Sequence, residues 1–432
     1  MQRIFSFFRP LLCILALLLA MTVSAQDFAE RFVDRTLRID YTFSGDAHHQ
    51  TIALDALSSS PRWYGKRQRM AELPMEGNGQ ITVRDHRSQT VIYRNSFSTL
   101  FQEWLTYPEA QTTQRSFENV FLVPMPRDTV DITVDLRDNR RTVVATMTHT
   151  VVPTDILIRH TGDHPTPYVT LSAAADTTRC IHIAYVAEGY RADEMDIFLR
   201  DARDATDAIF AHEPFRSARD RFNVVAVESP SEDSGTSEPA AGIWKRTALS
   251  SHFDTFYSDR YLTTLHLKQL HDWLAGVPYE HIIVLVNSSK YGGGGILNSY
   301  NLTTCHQSQF RPVVVHEFGH SFAGLADEYA YEEEQLNMYP HDIEPWEENI
   351  TTRVDFTSKW ADMITPDTPL PTPTSTDKAT IVSRVGLFEG AGYSPRGVYR
   401  AVQDCRMRTN ATPDFCPVCR RALSRVIDFY TK

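Results

Sequence analysis

His316-Glu317-Phe318-Gly319-His320, continued by SFAGLADEY from Ser321 to Tyr329, decides how this 432-residue chain is read. Residues four apart share one face of a helix, so His316 and His320 can offer two imidazole nitrogens to one metal ion while Glu317 reaches a water beside it. Upstream, Arg311-Pro312-Val313-Val314-Val315 supplies a proline suited to a first turn and apolar residues for the helix's buried face. Gly319 costs a helix about 1 kcal/mol relative to alanine, so its presence implies something packed close against the backbone. Gly324 fits a helix stop, and the turn beyond it delivers Asp327 and Glu328. A carboxylate at that point supplies what a two-histidine site still lacks.

The chemistry follows from the donor set. Two neutral imidazoles and one carboxylate leave Zn2+ with residual positive charge and an open position, which lowers the pKa of a bound water from about 15.7 towards about 7. Glu317 is placed to take that water's proton as general base and to pass a proton to a leaving amine. This is the arrangement of a zinc-dependent endopeptidase acting on a protein or peptide substrate. Two other readings share the residues: a catalytically silent protein- or glycan-binding module on the same fold, and a zinc amidase or deacetylase. Glu317 between the histidines argues against the first, because a structural metal needs no base. The second differs in its cleft, which sequence does not describe.

The run HEFGHSFAGLADEY, with VAEGY at 186–190, CRMR at 405–408 and FCPVC at 415–419, resembles the IgA peptidase family of secreted zinc metallo-endopeptidases. The similarity extends from about Pro165 to the C-terminus, and the preceding region resembles the β-rich domain that accompanies this catalytic domain. The resemblance implies zinc, endopeptidase activity and a metzincin-like catalytic domain, without implying that immunoglobulin A is the substrate. The metzincin pattern places its glycine three residues after the second histidine and its third ligand three residues later. Here Gly324 comes four after His320 and Asp327 three after Gly324. Keeping the glycine-to-ligand step favours Asp327 over the longer Glu328, with Glu332 or Glu333 from a following helix as a further alternative. By position Met407 is the candidate for the methionine turn of such domains, and Tyr393 or Tyr399 for a donor to the oxyanion.

Residues 1–25 carry Arg3 and Arg9, an apolar run over 11–20 and Val23-Ser24-Ala25, the pattern of a cleavable secretory signal too short to span a bilayer. The expected location is therefore secreted, periplasmic or cell-surface, with no membrane span in the mature chain. The formal charge of −11 argues against nucleic acid as a partner. Beyond the leader stand Cys180, Cys305, Cys405, Cys416 and Cys419. An oxidising compartment favours a disulfide among the last three, and the Cys-x-x-Cys spacing leaves a second structural metal, or a redox role, as alternatives.

The organisation expected is α+β and multidomain: an N-terminal β-sandwich over 26–160, then an α/β metzincin-like zinc peptidase domain over 165–432. Alternating runs at 37–43, 80–84, 129–136 and 142–152, separated by turn-prone residues, predict the sandwich strands. No catalytic constellation is visible there, and His48-His49 reads as an exposed loop pair. Strands at 181–186, 222–227 and 281–286 alternate with helices at 194–209 and 262–274, which predicts a mostly parallel sheet. Four glycines at 292–295 lack the Gly-Lys-Ser/Thr of a phosphate loop and suggest an edge strand that a substrate backbone approaches closely, or a plain flexible loop. Proline-rich 365–378 excludes regular structure.

Overall fold

The computed structural model describes residues 28–330 and 338–432. The leader expected over 1–25 and the acidic pair Glu332 and Glu333 lie outside the described residues.

The first third of the chain is β structure. Strands β1 (Phe32–Gly45), β2 (Gln50–Pro61), β3 (Gly79–Asp85), β4 (Val91–Phe97), β5 (Arg115–Pro126), β6 (Val130–Arg137), β7 (Val143–Val151) and β8 (Arg159–His160) form two four-stranded sheets, ordered β5-β1-β2-β8 and β4-β3-β6-β7. In β6, Val130, Ile132, Val134 and Leu136 are buried and alternate with half-exposed residues, because successive side chains on a strand point to opposite faces. The pair His48-His49 is exposed, as expected.

A six-stranded sheet follows, built from β9 (Tyr168–Ser172), β10 (Ile181–Glu188), β11 (Phe222–Val227), β12 (His281–Val286), β13 (Gly293–Ile296) and β14 (Tyr300–Thr304) in the order β13-β14-β12-β10-β11-β9. The four inner strands pair in parallel and the two edges antiparallel. Every residue of β10 and β12 is buried, as befits parallel strands covered on both faces. Alternate residues feed two different cores. Ala184, Val186, Val225, Val227, Val284 and Val286 join a cluster that also contains Leu37, Ile39, Phe97, Phe101 and Ile132 of the N-terminal sheets. Their neighbours Ile183, Tyr185, Val224, Ala226, Ile283 and Leu285 pack with Phe198, Phe318, Phe322, Leu423 and Ile427 from the helices Met195–Phe210, Phe310–Ala323 and Pro417–Thr431. Helices thus cover one face of the sheet, and the N-terminal region shares the core on the other.

The helix expected over 262–274 is shorter, at Leu267–Trp273. Thr263 is captured instead by a two-hydrogen-bond bridge to His252. The proline-rich stretch is irregular until the short helix Lys378–Ser383. A small sheet of β15 (Ile350–Thr351), β16 (Phe388–Ala391) and β17 (Ser394–Arg400), ordered β15-β17-β16, completes a mixed α/β, multidomain architecture of the α+β class. No helix among the described residues is long and apolar enough to cross a membrane.

Candidate active site

The helix Phe310–Ala323 buries Val314, Val315, Phe318 and Phe322 in the helical core and turns His316, Glu317 and His320 toward a cleft of about 1130 Å³. It stops at Gly324, whose φ of 57° is left-handed and whose N–H closes on the His320 carbonyl at 2.9 Å. The reversal brings Asp327 back alongside the histidines. His316 Nε2 lies 3.0 Å from His320 Nε2 and 3.0 Å from Asp327 Oδ1, and His320 Nε2 lies 3.3 Å from the same oxygen. Asn349 fixes the returning segment, donating to the Ala326 carbonyl and accepting the Ala326 N–H, each at 2.8 Å.

The outer nitrogens fix the ring chemistry. His316 Nδ1 donates to the Arg406 carbonyl at 3.0 Å and His320 Nδ1 to the Leu325 carbonyl at 2.5 Å. A carbonyl can only accept, so each neutral ring carries its proton on Nδ1 and presents a lone pair at Nε2. Among the described residues Asp327 Oδ1 is buried without a well-directed hydrogen bond, while Oδ2 accepts one from the Tyr393 hydroxyl. Burial pushes the Glu317 carboxyl above its ordinary value, against the pull of both imidazoles. For His320 burial acts downward, and the Asp327 carboxylate outweighs it, lifting the imidazolium to about 9.

Gly319 has the close neighbour that its place in the helix implied. A Cβ there would stand 2.8 Å from Met407 Sδ and 3.3 Å from the Phe415 ring. Met407 is fully buried beneath the histidine turn; its carbonyl accepts the Glu328 N–H at 2.8 Å, and the preceding carbonyl holds His316. Gly319→Ala should therefore destabilise the protein by about 1–3 kcal/mol through overpacking, although alanine is the better helix former. A lower thermal midpoint, together with weaker metal retention, is the expected reading; a rise in midpoint would mean that Met407 yields freely.

The glycine run at 292–295 leads into the expected edge strand, and its glycines meet neighbours within the protein itself. Added Cβ atoms would meet Glu317 Oε1 at 2.8 Å from Gly293, the Tyr261 ring at 2.9 Å from Gly294, and the Glu317 carbonyl at 2.5 Å from Gly295. The glycines let β13 press against the protein's own helix. β13 is still the sheet's edge and lines the cleft.

Of the alternatives for the third carboxylate, Glu328 points away from the histidines. Its Oε1 accepts from Asn349 Nδ2 at 3.0 Å and from Cys419 Sγ at 3.1 Å. Cys405, Cys416 and Cys419 surround that carboxylate as free thiols, so the disulfide expected among them is not formed; Cys405 and Cys419 sulfurs stand 3.8 Å apart. Tyr393 lies in the cleft wall, whereas Tyr399 sits on β17 against Arg353 and outside the cleft.

One residue that sequence reasoning missed comes from the N-terminal region. Glu103, on the short helix Leu100–Trp104, lines the cleft and accepts a hydrogen bond from the Tyr261 hydroxyl at 2.6 Å. Burial raises its carboxyl to about 7, with Asp327 and Glu317 adding to the rise. The helix is seated by Ser98 N–H on the Leu297 carbonyl and by Asn298 on the Ser96 carbonyl. No local pattern signals this, because the contact joins residues some 160–200 positions apart.

Residues 169–384 and 376–427 match the family model described as IgA Peptidase M64, and residues 27–148 match the Peptidase M64 N-terminus. By class the protein is a hydrolase, a metallopeptidase acting on protein. More narrowly, the chain belongs to the IgA peptidase M64 family. The solved structure of metalloproteinase-II from Bacteroides fragilis is similar over 51% of this chain and 69% of that one, at 12% identity and a TM-score of 0.22. A likeness so slight does not bear on the site. No curated protein matches the chain.

Proposed function

We propose that the protein is a secreted zinc endopeptidase in which His316, His320 and Asp327 hold the ion and Glu317 is the general base. The convergence of two Nε2 lone pairs and a carboxylate oxygen within 3.3 Å carries this reading. Ligands about 2.0–2.2 Å from a tetrahedral zinc stand about 3.3–3.6 Å from one another, a spacing the three atoms approach. With both rings neutral, two Nε2 lone pairs and a carboxylate oxygen converge on one point, and Asp327 already stabilises positive charge there by lifting His320 to about 9, so the donor set fits the ion. When bound, zinc supplies Lewis acidity and makes water a nucleophile at neutral pH.

The chain's own residues do the rest. Glu317, held against β13, takes the proton from the attacking water and returns one to the leaving amine. The Nδ1 bonds of His316 and His320 hold the rings in the ligating tautomer, and Tyr393 orients Asp327. Family membership and the Met407 packing under the histidines support a metzincin-like domain over 165–432, and the two N-terminal sheets sharing a core support a β-sandwich over 26–160. An open cleft walled by both regions suits an internal stretch of polypeptide, and the leader at 1–25 suits export.

Proteomic cleavage profiling of the purified chain, with and without chelator, tests the assignment. Internal cuts that chelation abolishes are expected; none in either sample would favour a binding module. The acid limb of the pH profile gives a second check. Glu317 works only when deprotonated and its pKa is raised above 4.5, so kcat/KM should fall as pH drops through a point above that value. Glu103→Gln should leave this limb in place; a limb that vanishes in that variant would assign it to Glu103.

A further inference from the structure

We infer that Glu328, Cys405, Cys416 and Cys419 form a second metal site, holding one zinc-class dication through three thiolates and a carboxylate. The four ligand atoms lie within 4.8 Å of one another, and all four residues are buried, with exposures of 0–1%. Thiolates about 2.3 Å from a tetrahedral zinc stand about 3.8 Å apart, whereas a disulfide closes to about 2.05 Å. The Cys405 and Cys419 sulfurs are 3.8 Å apart and Cys419 Sγ is 3.1 Å from Glu328 Oε1. An odd number of thiols also resists pairing: any disulfide would leave the third sulfur and a carboxylate buried together.

Backbone donors face two of the three sulfurs. The Cys416 N–H donates to Cys405 Sγ at 3.2 Å, and Cys416 caps the helix Pro417–Thr431, its sulfur accepting the Cys419 N–H at 3.5 Å. A helix N-terminus favours the thiolate. Glu328 Oε2 is buried and has no hydrogen-bond partner among the described residues, an acceptor left over for a cation. The set is soft, with one oxygen, which selects zinc over magnesium or calcium.

The position gives this site a role. Glu328 follows Asp327 directly, and Cys405 immediately precedes the Arg406 carbonyl that orients His316 and the Met407 thioether under Gly319. One ion would clamp three segments that shape the histidine site: the 326–328 return, the 405–408 turn and the C-terminal helix.

The test removes the histidine centre, so its outcome is independent of the function proposed above. His316→Ala/His320→Ala full chain, purified without chelator, is expected to retain one zinc per chain by elemental analysis. Cobalt(II) alone, added to the metal-stripped double variant, should give sulfur-to-metal charge-transfer absorption with the ligand-field bands of a tetrahedral site. Adding Cys416→Ser and Cys419→Ser should take the zinc from one per chain to none. Absence of zinc from the double variant together with no thiolate-cobalt absorption would overturn the site, as would a disulfide among the three cysteines in unreduced peptide mass spectra.

Discussion

Glu317→Gln is expected to lower kcat/KM by at least about 10²-fold, and up to about 10⁴-fold, while the purified chain keeps its full metal content. Glutamine copies the shape of the side chain, so the wedge between helix and β13, where Gly293 leaves room for Glu317 Oε1, stays filled. The imidazoles and Asp327 are untouched, and with them the metal. What is lost is an acceptor for a proton, in a setting that makes the native carboxylate an effective one: burial raises its pKa toward the working pH, where a base is both deprotonated and driven to take a proton. Steady-state kinetics with elemental analysis of the same preparations decide the matter. A variant within a factor of about three of wild type would remove Glu317 from the mechanism, and a variant lacking metal would mean that it acts as a ligand.

How much of this was legible before the structure depended on the distance over which each feature is encoded. The i, i+4 spacing put His316 and His320 on one face, Gly324 ended the helix, and three more residues brought back Asp327. All of this is local geometry, as are the runs that became β10, β11 and β12. Gly319 announced a close neighbour, and Met407 fills that position from nearly ninety residues away. Glu103 was invisible, since a glutamate on a five-residue helix has no pattern until Tyr261 and Leu297 come against it. The cysteines misled in a particular way. Counting them suggested a cross-link, whereas the element that changes their meaning is Glu328, a residue weighed for the other site and turned instead into their midst. Glycines at 292–295 carry no local sign of the close neighbours they accommodate, the Glu317 side chain and carbonyl and the Tyr261 ring.

Asp327→Asn should cost the histidine site more than about 100-fold in metal affinity, beyond the loss typical of a residue that only supports a ligand, and activity should fall with occupancy. The substitution is nearly isosteric. Asn349 still ties down the 326 peptide, and an asparagine carbonyl or amide can still meet the Tyr393 hydroxyl, so the fold survives. The electrostatics do not. With a carboxylate, a dication and two neutral imidazoles carry one residual positive charge; with an amide they carry two, in a buried position where charge is poorly solvated. The ion then competes badly with protons and water, and occupancy at limiting zinc should drop from near one to a small fraction. Titration of metal-stripped Asp327→Asn with zinc, compared with Asp327 in the same Cys416→Ser/Cys419→Ser background that silences the thiol cluster, measures the loss at the histidine site. Undiminished affinity would mean that the third oxygen comes from elsewhere, with Glu332 and Glu333 next to be substituted.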